Sequence, residues 1–235
     1  MRIRETIVAA GFLAVFSTTL APREAAAQTV TPIVQRNATW GTASSVTMIV
    51  NAGLVTLMPR IYYNDPEATV GWKARWHISM LAPALAMTGL TLFVDGPIHS
   101  AIQQPRPGCT MDETAAALPG QGCTSYGMPS TQSFAAFGAT GVGTSIFIVD
   151  TLKYSNGKFN VGSFIGNVGV PLVLSVFTAA ARSVAPGGPP VYPDETVPQI
   201  AIGAATGFVS GALLGLAYSF MQRPNCGYGG NIVCW

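Results

Sequence analysis

The chain has 235 residues, of which 49% are hydrophobic and 9% are charged, with a net charge of +2. An ordinary soluble domain carries about 25% charged residues, so this composition argues against a soluble globular enzyme and favours a membrane protein. The small net charge supplies no basic surface for nucleic acid, and the apolar content excludes an intrinsically disordered chain. The length allows one or two domains, and we expect one.

Residues 1–27 have the pattern of a secretory signal peptide. Arg2 and Arg4 form a charged start, residues 7–20 are mostly apolar, and the alanines at 25–27 offer a small-residue cleavage site. The alternative is an uncleaved first membrane helix, although this apolar run is short for a span. Both interpretations stay open at this point.

Five longer apolar stretches follow and predict an all-α, polytopic membrane helical bundle. They are 43–58, 76–94, 133–149, 161–181 and 197–221. Each is near the ~20 residues that a helix needs to cross a hydrocarbon core of about 30 Å. The first stretch is the most polar, because Asn51 and several Ser and Thr residues interrupt it.

These stretches predict five spans plus an N-terminal signal or sixth span. The membrane domain then covers 28–222, and 223–235 form a tail that contains glycine and cysteine. If the N-terminus starts inside, eight Lys and Arg residues lie in inner segments and four in outer segments, which obeys the positive-inside rule. We therefore expect an integral protein of a bacterial inner membrane, with the loops 95–132 and 182–198 facing the periplasm.

The last stretch carries a glycine at every fourth position. These residues are Gly203, Gly207, Gly211 and Gly215. Spacing of four puts them on one helix face, where the missing side chains let another backbone approach closely. The face predicts either tight packing within one bundle or a docking surface for another membrane-protein subunit.

Three short motifs lie in or beside the two outer loops. The first is HSAIQQPRP at 99–107, and the second is MPSTQSFAAF at 128–137. The third begins with ARSV at 181–184 and is followed, after a longer loop, by the apolar segment IAIGAA at 200–205. An arginine in each loop has the fork geometry that binds phosphate or carboxylate, and the equal alternative is an ordinary arginine at the membrane interface.

In this order, and each next to a predicted span, the three motifs resemble those of the type 2 phosphatidic acid phosphatase and vanadium haloperoxidase superfamily. The family motifs read Lys, six residues, Arg-Pro; then Pro-Ser-Gly-His; then Ser-Arg, five residues, His, three residues, Asp. The resemblance covers 43–221 and implies a lipid-phosphate-phosphatase-like fold. It also implies that Arg106, Ser130 and Arg182, with His99 in place of the lysine, hold phosphoryl oxygens.

The chain departs from the family at its catalytic histidines. In the family, the third-motif histidine attacks phosphorus, the aspartate orients it, and the second-motif histidine protonates the leaving oxygen. Here Gln132 stands at the second-motif histidine, while Glu195 and Gln199 align with the third-motif histidine and aspartate. The chain has two histidines, His77 and His99, and neither aligns with either catalytic position.

Glu195 is the one weak candidate for a catalytic residue. A carboxylate can act as a nucleophile, but Asp194 and Glu195 are more simply read as solvated acids of the loop. Gln132 cannot donate a proton as a general acid. We therefore favour loss of catalysis, and we predict no cofactor and no metal site.

Four cysteines give a further constraint on the fold. Cys109 and Cys123 lie fourteen residues apart in one outer loop, where an oxidising compartment permits a disulfide. Cys226 and Cys234 lie in the tail, which the topology places inside, and no third ligand is near them for a metal. If that pair forms a disulfide, the tail is outside and the span count is wrong by one.

The leading hypothesis is a pseudoenzyme: a non-catalytic integral membrane protein that binds lipid phosphate or serves as a subunit of a membrane complex. The alternative is an active lipid-phosphate phosphatase or phosphotransferase with a rearranged active site. A transporter or channel component is a weaker third hypothesis, because the spans lack the charges that such pathways commonly carry. The expected partners are membrane lipids and other membrane-protein subunits.

Overall fold

The computed structural model describes residues 34–62, 73–75, 81–116, 122–185 and 191–222. The prediction of a mostly helical protein is confirmed for this part of the chain. The signal peptide or first helix predicted at 1–27 and the tail at 223–235, with Cys226 and Cys234, lie outside the described residues, as does His77. Those predictions therefore stay predictions.

Six helices and two small sheets make up the described structure. The helices are α1 (Ala38–Leu57), α2 (Leu81–Ile102), α3 (Met111–Ala116), α4 (Thr131–Tyr154), α5 (Val161–Ser183) and α6 (Val197–Met221). Each of α2, α4 and α5 includes one π-helical turn. Strand β1 (Gln35–Arg36) pairs in parallel with β4 (Val191–Tyr192), and β2 (Arg60–Tyr62) pairs antiparallel with β3 (Lys73–Arg75).

Four of these helices, α2, α4, α5 and α6, are long and apolar enough to cross a membrane. They coincide with four of the five predicted stretches and are consistent with an integral membrane protein. The remaining stretch forms α1, which has the length of a span but not the hydropathy of the other four. The count of five or six spans and the lipid-phosphate-phosphatase-like fold stay predictions.

Helix α4 is the centre of the bundle. Within its most apolar window 67% of the residues are buried inside the protein, against 17% for α2 and 28% for α5 and α6. Large apolar side chains on the peripheral helices, such as Leu92, Val173 and Leu213, are more than half exposed. Such surfaces suit a hydrocarbon surrounding, because apolar groups are not penalised there.

The glycine face of α6 packs against the backbone of α4. Along it, Gly203, Gly207, Gly211 and Gly215 are buried and face, in order, the carbonyl oxygens of Ser130, Phe134, Gly138 and Val142. A Cβ atom at Gly203 would lie 2.5 Å from the Ser130 oxygen, which is closer than real Cβ atoms approach. This face is therefore covered by α4 of the same chain, and it is not open to another subunit.

The polarity of α1 is explained by what its side chains contact. Asn51 is fully buried, and its Nδ2 atom lies within hydrogen-bonding distance of the carbonyl oxygens of Ala136 and Pro171 and of Oγ of Ser175, at 3.0, 3.1 and 2.9 Å. One α1 side chain thus joins α4 to α5. The residue that weakened the hydropathy signal is a packing residue of the bundle.

A buried ion pair stabilises the bundle at the C-terminal end of α4. Arg60 of β2 and Asp150 of α4 are 1% and 2% exposed, and the Nε atom of Arg60 donates to Oδ2 of Asp150 at 2.8 Å. The arginine also lies over the ring of Tyr218 of α6, 5.6 Å from its centroid. Both charges lie just outside the predicted spans 43–58 and 133–149, so the expectation that the spans lack charges stays a prediction.

Candidate phosphate-binding site

The three motifs meet at the other end of the bundle, where α2 and α5 end and α1, α4 and α6 begin. We call this the motif end. The backbone N–H of Ser130, in the second motif, donates to the carbonyl of Gln199 at 3.0 Å, and Nε2 of Gln199 donates to the carbonyl of Pro105 in the first motif at 3.0 Å. Gln199 thus links the first and second motifs to the start of α6.

His99 and Ser130 are both buried, and the protein itself provides their contacts. Nε2 of His99 lies 2.7 Å from the carbonyl oxygen of Pro129; a carbonyl only accepts, so this nitrogen carries the hydrogen. Ser130 is the N-cap of α4: its Oγ accepts from the N–H of Ser133 at 3.2 Å and donates to the Ser133 hydroxyl at 2.9 Å. His99 and Ser130, which were both predicted to bind phosphate, therefore form hydrogen bonds within the motif end.

Arg182 is held by two carboxylates of its own chain. Its Nη1 atom lies 2.9 Å from Oδ2 of Asp194, and its Nη2 atom lies 2.8 Å from Oε1 of Glu195. The arginine is 4% exposed, Asp194 9% and Glu195 1%. The expectation that these acids are solvated is therefore wrong. They precede the N-cap of α6, Thr196, and the start of that helix turns them inward against the last turn of α5.

Arg106 has no such partner. Its side chain forms no hydrogen bond and no ion pair with any described residue, and its Nε atom is buried without an acceptor. Its stem packs on Gly127, where a Cβ atom would lie 3.0 Å from Cγ of Arg106. Burial lowers the pKa of Arg106, the charge of Arg182 lowers it further, and Glu195 and Asp194 oppose both effects. An arginine nevertheless stays protonated in a protein.

Arg36 is a third arginine at the motif end that the sequence motifs did not indicate. It precedes α1, and its Nε and Nη1 atoms donate to the carbonyls of Gly122 and Pro193 at 3.2 and 2.5 Å. Burial lowers the pKa of Arg36 to about 10, with a smaller contribution from the charge of Arg106. The only feature of the sequence that could have indicated Arg36 was its position among the few Lys and Arg residues of the outer segments.

Among the described residues, the site therefore carries one more positive than negative charge. The half-buried Arg36 and Arg106 and the buried Arg182 lie near two buried carboxylates, those of Asp194 and Glu195, and the side chain of the next acid, Asp95, is 63% exposed. An unpaired charge in a poorly solvated place is costly unless an opposite charge joins it. The site is consequently suited to one anionic group.

Buried polar atoms without a hydrogen-bond partner also occur in the residues of the candidate site. Among the described residues, five buried side-chain atoms without a hydrogen-bond partner belong to the three motifs and the loop that follows the third: Gln104 Oε1, Arg106 Nε, Gln132 Oε1, Arg182 Nε and Glu195 Oε2. Such atoms are rare in native proteins and usually contact water or a ligand. Two of the five are N–H donors of arginine, which suit an acceptor such as a phosphate oxygen, and the other three are oxygens, which need a donor.

The predicted cysteine pair holds the loop that carries Arg106. The Sγ atoms of Cys109 and Cys123 lie at disulfide-bonding distance, with the Cα atoms 5.7 Å apart. Arg36 contacts this pair as well, because its Nη2 atom lies 3.2 Å from Sγ of Cys109. The first motif is thus anchored three residues after Arg106.

The geometry offers little acid–base chemistry. Both ends of the Gln199 amide are used, since Oε1 accepts from the N–H of Thr196 at 2.8 Å while Nε2 donates to Pro105. Nδ1 of His99 is 3.9 Å from the nearest oxygen of Asp95, which is too far for a hydrogen bond. Among the described residues, no three His, Cys, Asp or Glu side chains lie close enough to hold a metal ion.

These features define a helical protein with four apolar helices, consistent with an integral membrane protein, that has a buried arginine and carboxylate cluster at one end. No protein-family model, curated protein or solved structure matches the chain. The resemblance to the phosphatase superfamily therefore rests on the three motifs alone and stays a prediction.

Proposed function

We propose that the protein is a non-catalytic membrane protein that binds the phosphate of a lipid headgroup through Arg106. The observation that carries this proposal is the contrast between two arginines. Arg182 has both Nη atoms paired with acids of its own chain, whereas Arg106 has no partner among the described residues. One guanidinium group is thus left for an outside anion.

A phosphate suits Arg106 better than a simple ion does. A guanidinium group presents parallel N–H donors that match two oxygens of a phosphate, and such charge-assisted pairs are among the strongest hydrogen bonds. The unpartnered Nε of Arg182 supplies another donor at the same end. The motif resemblance, which predicts phosphate at these positions, supports the same ligand.

A lipid is the expected source of that phosphate. The motif end is where α2 and α5 end and α4 and α6 begin, and these four helices are apolar enough to cross a membrane. Ends of spanning helices lie at the level of lipid headgroups. Arg106, four residues after α2, is therefore placed at headgroup depth in this account.

Loss of catalysis is supported by the residues that stand at the family's catalytic positions. Glu195 has one oxygen on Arg182, and Gln132 and Gln199 stand where the family has its acid and its orienting carboxylate. The hypothesis that the protein is a subunit of a membrane complex loses its main support, because the α6 glycine face is covered by α4.

The direct test is binding of phosphatidic acid to the purified protein in lipid nanodiscs, measured by native mass spectrometry. Arg106→Ala should weaken binding roughly ten- to hundredfold, since a charge-assisted hydrogen-bonded contact contributes about 1.5–3 kcal/mol. Arg106→Lys keeps the positive charge but lacks the forked guanidinium group, so its affinity for phosphatidic acid should lie between those of the wild type and Arg106→Ala. Phosphatidylcholine, whose phosphate is masked by choline, should bind less well to the wild type.

One observation favours the alternative of an active phosphatase. Oε2 of Glu195 is buried without a partner, so this oxygen is a candidate nucleophile among the described residues of the site. In that case the wild type would release phosphate from phosphatidic acid, and Glu195→Gln would abolish the release. Phosphate release that Glu195→Gln leaves unchanged would show that Glu195 is not the nucleophile.

A further inference from the structure

The cysteine pair of the loop that carries Arg106 lies beside a guanidinium group. Nη2 of Arg36 is 3.2 Å from Sγ of Cys109, while its Nε and Nη1 atoms donate to the carbonyls of Gly122 and Pro193. A disulfide sulfur is a weak hydrogen-bond acceptor, so the contact with Cys109 contributes little while the bond is intact. A thiolate at the same place would accept a charge-assisted hydrogen bond. Arg36 is therefore positioned to stabilise Cys109 as a thiolate.

The two cysteines differ in burial. Cys123 is 3% exposed, and its neighbour Gly122 packs tightly, since a Cβ atom there would lie 2.5 Å from the carbonyl oxygen of Val34. Cys109 is half-buried and lies between two exposed residues. Thiol–disulfide exchange begins when an outside thiolate bonds to one of the two sulfur atoms, so that sulfur must be accessible. Cys109 is consequently the sulfur that a thiol reductant reaches first.

We propose that Cys109–Cys123 is a thiol–disulfide exchange site that a dithiol reductant opens, and that opening it lowers the affinity of the candidate site for anions. First, one thiolate of the dithiol attacks Sγ of Cys109, the bond to Cys123 breaks, and Cys123 leaves with the electron pair and is protonated. The second thiolate of the dithiol then attacks the dithiol sulfur bound to Cys109, and Cys109 leaves as a thiolate beside Arg36. The dithiol becomes a disulfide, the protein gains two electrons, and the second proton goes to solvent.

Arg36 makes the second of these steps easier. A thiolate stabilised by a cation is the better leaving group, and a disulfide whose reduced form is stabilised is reduced more readily. The carbonyl of Gly122 is 3.9 Å from Sγ of Cys109, and its partial negative charge is offset because it already accepts from Nε of Arg36. The cysteine pair therefore lies next to a group that favours its own reduction.

Reduction changes the charge of the candidate site. Among the described residues this site has one more positive than negative charge, and a Cys109 thiolate would cancel the difference. Arg36 and Arg106 are close enough to interact, since the charge of Arg106 lowers the pKa of Arg36. An anion at Arg106 would then meet a site without net charge and bind less tightly. This effect on binding rests on the proposed function, whereas the exchange chemistry does not.

Reduction also loosens the turn between Arg106 and Cys109. The N–H of Cys109 donates to the carbonyl of Arg106 at 3.1 Å. Between them, Gly108 has a φ of +78° and packs on the ring of Tyr192, which a Cβ atom there would approach to 2.8 Å. Without the bond to Cys123, the turn depends on these weaker contacts. Charge and loop release thus act on Arg106 in the same direction.

The first test measures the reactivity of the thiol. Full-length Cys123→Ser is alkylated with iodoacetamide at about pH 7, and peptide mass spectrometry gives the rate at each cysteine. Cys109 should react roughly three- to tenfold faster than in Cys123→Ser/Arg36→Gln, because a neighbouring cation increases the thiolate fraction. Arg36→Lys should keep most of the effect. Lys153→Gln, which removes an exposed cation at the other end of the bundle, should leave the rate unchanged.

A comparison at high pH separates charge from accessibility. At about pH 10.5 a thiol is ionised with or without a cation beside it, so Cys109 should react at similar rates in both backgrounds. The order of attack is checked with glutathione, a monothiol, which should form its mixed disulfide with the wild type on Cys109. A rate at neutral pH that does not depend on Arg36, or a mixed disulfide mainly on Cys123, overturns the exchange site.

The second test measures phosphatidic acid binding in nanodiscs. The proteins are oxidised wild type, wild type reduced with dithiothreitol, and Cys109→Ser/Cys123→Ser. The reduced protein and the serine variant both lack the bond, so the difference between them measures the thiolate charge. The oxidised wild type should bind most tightly, and the reduced wild type roughly two- to fivefold less tightly than the serine variant, as one added negative charge near the anion predicts. Circular dichroism checks that all three are folded.

The outcomes separate the two proposals. A pair that dithiothreitol does not reduce until the protein unfolds overturns the exchange site. Equal binding by the reduced wild type and the serine variant overturns the effect of the thiolate charge. Failure of the oxidised wild type to bind phosphatidic acid overturns the proposed function and the effect on binding, while an Arg36-dependent rate at Cys109 still supports the exchange site.

Discussion

Nη2 of Arg182 lies 2.8 Å from Oε1 of Glu195, and both side chains are almost completely buried. In the superfamily that the motifs resemble, the corresponding arginine holds a phosphoryl oxygen and the corresponding position is the nucleophile. Here the two groups neutralise each other. The contact is a buried ion pair, whereas the side chain of Arg106 has no partner among the described residues.

Glu195→Gln should destabilise the protein. Removing one partner of a buried ion pair typically costs about 3–5 kcal/mol, because the other charge stays buried without compensation. Asp194 still pairs with Arg182, so we expect the lower part of that range. The free energy of unfolding in denaturant measures it, with the exposed Asp112→Asn as the control. Equal stability of the two variants would contradict the structural role of the pair.

Gly207→Ala should separate α6 from α4. A Cβ atom at Gly207 meets the backbone of Phe134, which cannot rotate away, and overpacking of this kind costs about 1–3 kcal/mol or more. Gly53→Ala on α1 is the matched control, because nothing lies within 4 Å of a Cβ atom there. That control should be neutral or slightly stabilising, since alanine is the better helix former. The midpoint temperatures of thermal unfolding of the two variants measure this difference in stability.

Asp150→Asn should weaken the opposite end of the bundle without affecting ligand binding. It leaves the buried Arg60 beside a neutral amide, for which we expect a loss of about 3 kcal/mol or more. The candidate site lies at the other end of α4, so phosphatidic acid binding at a temperature where the variant is folded should match the wild type. Reduced binding by the folded variant would place the lipid elsewhere.

Replacing both Cys109 and Cys123 by serine should affect stability and binding together. A disulfide that closes a loop of about fifteen residues contributes roughly 3 kcal/mol. The same loop carries Arg106, so the guanidinium group would lose its fixed position and phosphatidic acid should bind less tightly. Titrations of wild type, reduced wild type and the double variant measure both effects. Unchanged binding after a large loss of stability would show that this pair does not position Arg106.

Much of the fold was predictable because it depends on local composition. Four apolar stretches became apolar helices at nearly the predicted positions, and glycine at every fourth position of α6 predicted close backbone packing. The first stretch was harder to interpret, because the same Asn51 that weakens its hydropathy joins α4 to α5 by hydrogen bonds. Sequence periodicity does not distinguish a polar residue that faces solvent from one that links two helices.

The candidate site was predictable only in part, for a related reason. Motif spacing indicated that Arg106, Ser130 and Arg182 belong to one end of the bundle. It did not indicate that Asp194 and Glu195 turn inward, because loop acids are exposed in most proteins and their burial depends on a long-range partner. Arg36 was missed because its contacts are with backbone carbonyls more than eighty residues away.

The most direct test of the central claim is one experiment on wild type, Arg106→Ala and Glu195→Gln, with phosphatidic acid binding and phosphate release measured on the same preparations. We predict that the wild type binds the lipid, that Arg106→Ala binds it roughly ten- to hundredfold less tightly, and that no preparation releases phosphate. Release by the wild type that Glu195→Gln abolishes, or equal binding by wild type and Arg106→Ala, would contradict the account.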